Sequence, residues 1–182
     1  TTNPREAVRD ADLVVLAVPV DEIVAQGLRL ARWMRPGSIL TDVGSTKARI
    51  VSELERRLPK HVRFIGAHPL AGSERRGIEA AERGLFDGAV CVVTPTARTH
   101  RVSLQRVCAL WKALGVRVVQ LTPTRHDRVL AQTSHLPHLI AYSLALAVHP
   151  TRPPTVPPSL LEMTRIAKSD PELWDDIFLT NR

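Results

Sequence analysis

The chain has 182 residues, 44% of them hydrophobic, which is enough for one domain or for one domain and part of a second. Its formal net charge is +7, yet only 4% of its residues are aromatic and the basic residues are scattered, which argues against a base-stacking nucleic-acid platform. No apolar run approaches the ~20 residues that span a bilayer and no charged-then-apolar leader opens the chain, so we expect a cytoplasmic protein with neither nucleic acid nor membrane as partner.

The chain starts at Thr1 in what reads as a loop, as a fragment or a processed chain would. Residues 12–18 (DLVVLAV) then form a continuous apolar run, the pattern of a parallel strand buried on both faces. Helical spacing follows over 20–34, with Ile23, Val24, Leu28, Leu30 and Ala31 on one face and Pro36-Gly37 at the end. A second strand is expected at 38–43, and a helix at 47–58 with Ile50, Val51, Leu54 and Leu58 as its stripe. Residues 62–67 read as a third strand running into a loop at 68–73. A fourth strand at 89–94, a helix at 99–114 and a fifth strand at 116–121 complete an α/β pattern with a mostly parallel sheet. From 122 the chain turns helical. One helix runs to about 148 with Pro137 kinking its interior, a proline-rich stretch covers 149–158, and further helices are expected at 159–168 and 171–181. The domain boundary therefore falls between 1–121 and 122–182. Cys91 and Cys108 have neither metal-knuckle nor redox spacing and read as small buried hydrophobes.

In an open parallel sheet, ligands bind where strands end and helices begin. At the end of the first strand, Ala17, Val18 and Pro19 are small or rigid and let a flat ligand approach. At the end of the second, Gly44 permits a tight turn and Ser45 or Thr46 can cap the next helix. An ordinary capped helix explains this segment equally well. The third strand ends in His68, with Pro69, Gly72, Ser73 and Glu74 close behind. A histidine there suits proton transfer near neutral pH, although a simple turn histidine has the same local pattern. In the long helix, Ser134 and His138 share a face and His135 lies about 100° round. A zinc site on His135 and His138 lacks further ligands, and a pocket wall suits the cluster better. His126-Asp127 reads as structural. Arg165 can clamp a carboxylate or simply be solvated, and Asp170 before Pro171 is an N-cap.

Together the segments DLVVLAVP (12–19), DVGSTK (42–47), HPLAGSE (68–74), HD (126–127), SHLPH (134–138) and TRIAKSDPELWDDI (164–177) resemble the prephenate and arogenate dehydrogenases of tyrosine biosynthesis. The resemblance implies a partial Rossmann-like sheet domain followed by a helical substrate and dimerisation domain. It also implies an oxidative decarboxylation with NAD or NADP as cofactor. By motif match it makes His68 the catalytic base, with Ser45 orienting base and nicotinamide. Ser73, Glu74, Ser134, His138, Arg165 and Trp174 then bind or gate the substrate, and Ala17, Val18, Pro19, Gly44 and Ser45 line the cofactor site. No metal is implied, and the full-length enzyme is expected to be a homodimer.

The sequence departs from this family in one respect. The GxGxxG dinucleotide fingerprint and its acidic partner are absent. The first strand–helix–strand unit is therefore expected to lie upstream, and the helical domain to continue beyond Arg182. On these grounds cofactor binding by the chain alone is expected to be weak. Two alternatives stand beside the main reading: a non-catalytic binding module that keeps the fold, and another two-domain NAD(P)-dependent dehydrogenase, of which Lys168 is the only lysine candidate in the helical part.

Overall fold

The structure is a computed structural model that describes residues 1–72, 81–151 and 155–181. It opens with a short helix, α1 (Pro4–Arg9), in place of the expected loop. Asn3 caps it by accepting the Arg5 N–H, proline takes the first turn, and Glu6 sits where the helix dipole favours an acid. Strand β1 (Leu13–Leu16), helix α2 (Glu22–Ala31), strand β2 (Ile39–Asp42), helix α3 (Ala48–Arg57) and strand β3 (Arg63–Leu70) follow. Strand β4 (Val90–Thr94), helix α4 (Arg101–Ala113) and strand β5 (Arg117–Gln120) complete the sheet layer.

The five strands form one sheet in chain order, and every neighbouring pair is parallel except β3 and β4. The antiparallel pair extends β3 beyond the expected stop. His68 pairs with Val92, Pro69 with Cys91 and Leu70 with Val90, so His68 belongs to a strand and not to a loop. Proline is tolerated there for a simple reason. The Ala67 N–H points to the β2 side, where it reaches Asp42 Oδ1 at 3.3 Å. Two residues on, the Pro69 nitrogen faces the same side, where β2 has already ended and no ladder bond is lost. A second difference concerns β1. It was expected to be buried on both faces, but its outer edge pairs with no strand among the described residues, and Val15 is 42% exposed.

Side chains alternate between two cores. Ile39, Ile65, Ala67, Cys91 and Val93 pack with Val107, Trp111 and Val116 on the α4 side. Leu16, Leu40 and Phe64 pack with Ile23, Leu30, Ile50, Val51 and Leu54 on the α2 and α3 side. The period of two therefore sends Asp42 and His68 into the α3 layer, just beyond the N-terminus of that helix.

The expected long helix is three pieces: α5 (Pro123–Leu130), a π-helical turn (Ala131–His135) and α6 (Leu136–Val148). The interruption lies just before Pro137, which lacks the N–H that an α-helix would use. After it come a 3-10 turn (His149–Thr151), α7 (Pro158–Thr164), a 3-10 turn (Arg165–Lys168) and α8 (Pro171–Thr180). Asp170 caps α8 as expected, accepting the Glu172 and Leu173 N–H groups. Trp174 and Ile177 of α8 join the α2/α3 core, which ties the helical tail to the sheet. Among the described residues no helix is long and apolar enough to cross a membrane, and both cysteines are free thiols.

Candidate active site

Asp42, at the end of β2, is buried behind the turn that carries Gly44 and Ser45. Its carboxylate and the Lys47 ammonium make an ion pair with no exposed surface on either side chain. The same carboxylate accepts the Gly44 N–H at 3.0 Å and the Ala67 N–H at 3.3 Å. One buried anion thus locks the β2–α3 turn to β3. A Cβ on Gly44 would lie 2.5 Å from Ile23 Cδ1, so close packing requires glycine there.

The N-terminus of α3 is capped from a distance. Neither Ser45 nor Thr46 caps it, and Thr46 instead bonds Thr180 across 3.1 Å. Asp127 of α5 takes that place. Its Oδ1 accepts the Lys47 N–H at 2.7 Å and its Oδ2 accepts the Ala48 N–H at 2.8 Å. A carboxylate suits the positive end of a helix. Burial pushes the Asp127 carboxyl up, but hydrogen bonds from His126, Ala48 and Lys47 outweigh it and leave its pKa below the ordinary value.

His126 Nδ1 lies 2.7 Å from Asp127 Oδ1, and His126 Nε2 lies 2.8 Å from His68 Nδ1. Asp127, His126 and His68 are therefore one connected chain leading from the α3 cap to the cavity. Burial holds the His68 imidazole well below its ordinary pKa, and Lys47, His126 and His135 act in the same direction. His68 is consequently neutral at pH 7, the state a proton acceptor needs.

A cavity of about 510 Å³ opens over His68. Ser45, Ser134, His138, Arg165 and Trp174 line it together with His68, so most of the expected catalytic and substrate-binding residues meet at one place. His135, Ser169 and Leu173 line it as well. The π-helical turn places His135 and His138 on one wall. Asn181 donates its amide to the Asp127 carbonyl and to His135 Nδ1, at 2.8 and 2.9 Å. Burial lowers the His135 pKa to about 4. His138 stacks on Trp174 with ring centres 3.5 Å apart and donates Nδ1–H to the Ser134 carbonyl at 2.9 Å. Burial lowers the His138 pKa against the opposing pull of that carbonyl, and Arg165 adds to the lowering. Gly72 takes φ +140°, a backbone state that side chains disfavour, at the rim of the cavity. Ser73 and Glu74 lie outside the described residues.

The β1 and β2 ends stand side by side, with Leu16 opposite Asp42. Ala17 and Pro19 are exposed and Val18 is half-buried, next to the turn that carries Gly44 and Ser45. This open strip runs up to the cavity through Ser45.

The family model for the nucleotide-binding domain of prephenate dehydrogenase matches residues 1–120, and the one for its dimerization domain matches residues 122–182. The chain belongs to the prephenate dehydrogenase family. It is 36% identical to the cyclohexadienyl dehydrogenase of Zymomonas mobilis over 188 residues, covering 100% of this chain and 64% of the relative. It is 34% identical to the prephenate dehydrogenase of Bacillus subtilis, covering 96% of this chain and 49% of the relative. Among solved structures, the Aquifex aeolicus prephenate dehydrogenase in complex with hydroxyphenyl propionate and NAD+ superposes with a TM-score of 0.89 at 35% identity, covering 100% of this chain and 65% of that one. The Synechocystis arogenate dehydrogenase superposes with a TM-score of 0.82 at 28% identity, covering 100% and 66%. The chain thus spans about half to two thirds of the length of the relatives it matches.

Within this prephenate dehydrogenase fold, sequence reasoning gave no site role to five residues around His68, four of them buried. The HD pair reads as structural but links the α3 cap to His68. Asp42 and Lys47, five residues apart across a turn, carried a charge-pair signal that was open to notice. Asn181 had no local signal, because its partners are remote in sequence.

Proposed function

We propose that this chain carries the reaction centre of an oxidative decarboxylation of prephenate or arogenate, with hydride transfer to NAD or NADP, in tyrosine biosynthesis. One observation carries the reading: a neutral imidazole, His68, and a guanidinium, Arg165, line a single cavity beside the open strip at Ala17, Val18 and Pro19. Membership of the family supports it, and the relatives are named for both substrates.

In this reading Arg165 holds a substrate carboxylate. His138, Ser134 and Trp174 shape the ring pocket, and Ser73 and Glu74 keep the substrate-binding role that the motif match implies. Ser45 orients His68 against the cofactor, and Gly44, Ala17, Val18 and Pro19 give the nicotinamide ring its seat. The nicotinamide, when bound, supplies the hydride acceptor. His68 Nε2 takes the substrate hydroxyl proton as the carbon–hydrogen bond breaks and the carbon–oxygen double bond forms. The electron pair of the carbon–carboxylate bond then enters the ring, CO₂ departs, and the borrowed proton returns to the new phenol oxygen. Aromatisation drives the last step, so the protein's work is largely positioning.

Division into a sheet domain at 1–121 and a helical domain at 122–182 belongs to the same proposal. So does a homodimer formed through the helical part, where Leu139, Ile140, Leu146, Leu161 and Met163 are all exposed. Two free cysteines suit the cytoplasm as the place of reaction.

The test offers prephenate and arogenate separately, each with NAD and with NADP, and follows reduced nicotinamide and released CO₂. The proposal predicts both products in equal amounts with at least one substrate. Neither product in any combination contradicts it.

A further inference from the structure

The two rings facing each other at the base of the cavity raise a question of proton placement. Asp127 Oδ1 is a carboxylate oxygen 2.7 Å from His126 Nδ1, so His126 must donate from Nδ1. The two backbone N–H groups of Lys47 and Ala48 hold that carboxylate in place and keep it an acceptor. A neutral His126 then presents a bare Nε2 lone pair to His68 Nδ1, 2.8 Å away. Two lone pairs cannot face each other at that distance, so His68 must donate from Nδ1. Its own Nε2 is left without a proton.

We propose that His126 and Asp127 are positioning residues that fix His68 in the Nδ1–H tautomer, so that its Nε2 lone pair is the one offered to the substrate hydroxyl. This rests on the proposed function for the role of His68, but the tautomer itself does not. The arrangement differs from a carboxylate–histidine pair in that a second imidazole stands between acid and base. His126 has no exposed surface, which keeps water from competing for His68 Nδ1. When His68 takes the substrate proton, its positive charge is shared through the same hydrogen bond toward the Asp127 carboxylate. The Lys47 ammonium, paired with Asp42 in the same buried layer, disfavours the protonated form of His68.

The decisive measurement is ¹⁵N NMR of the imidazole nitrogens in the unmodified protein at pH 7.5. The proposal predicts a protonated Nδ1 and a bare Nε2 on both His68 and His126. A protonated Nε2 on His68 overturns it, whatever the enzyme turns over. Variants supply the functional half. In Asp127→Ala no acceptor faces His126 Nδ1, so the proton is no longer held there and His68 loses its fixed Nδ1–H form. The expected loss in kcat is at least about 100-fold with KM within about threefold, following the pattern of an orienting carboxylate. Should that variant fail to fold, the pair at position 126 decides. His126→Gln keeps an oxygen acceptor for His68 Nδ1–H and His126→Leu removes it. The Gln variant is expected to retain at least about tenfold more kcat than the Leu variant at matched thermal stability. Equal kcat values in the two variants overturn the positioning role. Absence of turnover in the unmodified protein contradicts the proposed function alone, and the nitrogen spectra still decide the tautomer.

Discussion

Lys47 is a large side chain with no exposed surface, and its ammonium lies against the Asp42 carboxylate. Removing one member of such a pair leaves a charge buried without its partner, which costs about 3–5 kcal/mol. Lys47→Met is therefore expected to lower unfolding stability by that amount in urea titration, and a change under about 1 kcal/mol contradicts the account. Arg165 faces the cavity from an exposed turn, so its loss acts on binding and not on folding. Arg165→Ala is expected to raise KM about 10- to 100-fold, the worth of a charged hydrogen bond, with kcat nearly unchanged. An unchanged KM rules the clamp out. His68 titrates well below 6.5 because it is buried and faces Lys47. The kcat/KM profile should therefore stay level through pH 6.5 and fall only at clearly more acidic pH. An acidic limb centred near 6.5 contradicts a desolvated base.

At the scale of elements, close approach of α3 to β3 is what brings the α3 N-terminus to the site. Gly66 permits it. A Cβ there would lie 2.6 Å from Thr94 Oγ1 and 2.8 Å from Val51 Cγ2. Gly66→Ala is expected to cost about 1–3 kcal/mol by overpacking, measured by urea unfolding, and a neutral result places the helix farther from the strand than described. The sequence made these elements legible wherever apolar spacing carried them, as in the stripe of Ile50, Val51 and Leu54 on α3. It was less informative where pairing is non-local. Pro69 reads as part of a loop at 68–73, and only the antiparallel partner β4 shows why β3 continues through it. The α3 cap looked local, with Ser45 and Thr46 in the usual place, but the structure takes Asp127 from 80 residues away. The opening residues read as a loop, although Asn3, Pro4 and Glu6 carry a helix-start signature that the structure realises as α1. Pro137 announced an interruption, and the structure gives its form as a π-helical turn that faces His135 and His138 into the cavity. For the site, motifs located the cavity lining, while the buried Asp127–His126 link depends on contacts no local pattern encodes.

Taken whole, the molecule buries imidazoles in its centre, and that sets its response to acid. His68 and His135 both have folded-state pKa values below the ordinary 6.5, that of His135 being about 4. Between those values and 6.5 the unfolded chain binds protons that the folded chain does not, so stability rises with pH there. Their contribution is complete above 6.5 and is lost as pH falls toward 4. Urea titrations at pH 7.5, 6, 5 and 4.5 should show a falling unfolding free energy below 6.5. A constant value across that window contradicts the burial of both rings. The same burial serves the proposed chemistry, because it keeps His68, at the base of the cavity, neutral at pH 7 and so able to accept a proton from a bound ligand. The most direct test of that claim is His68→Asn in the whole protein, assayed with substrate and nicotinamide cofactor at neutral pH. The account predicts that kcat falls about 10²- to 10⁴-fold while substrate dissociation changes by no more than about threefold. Turnover within about tenfold of the unmodified protein would show that His68 is not the base.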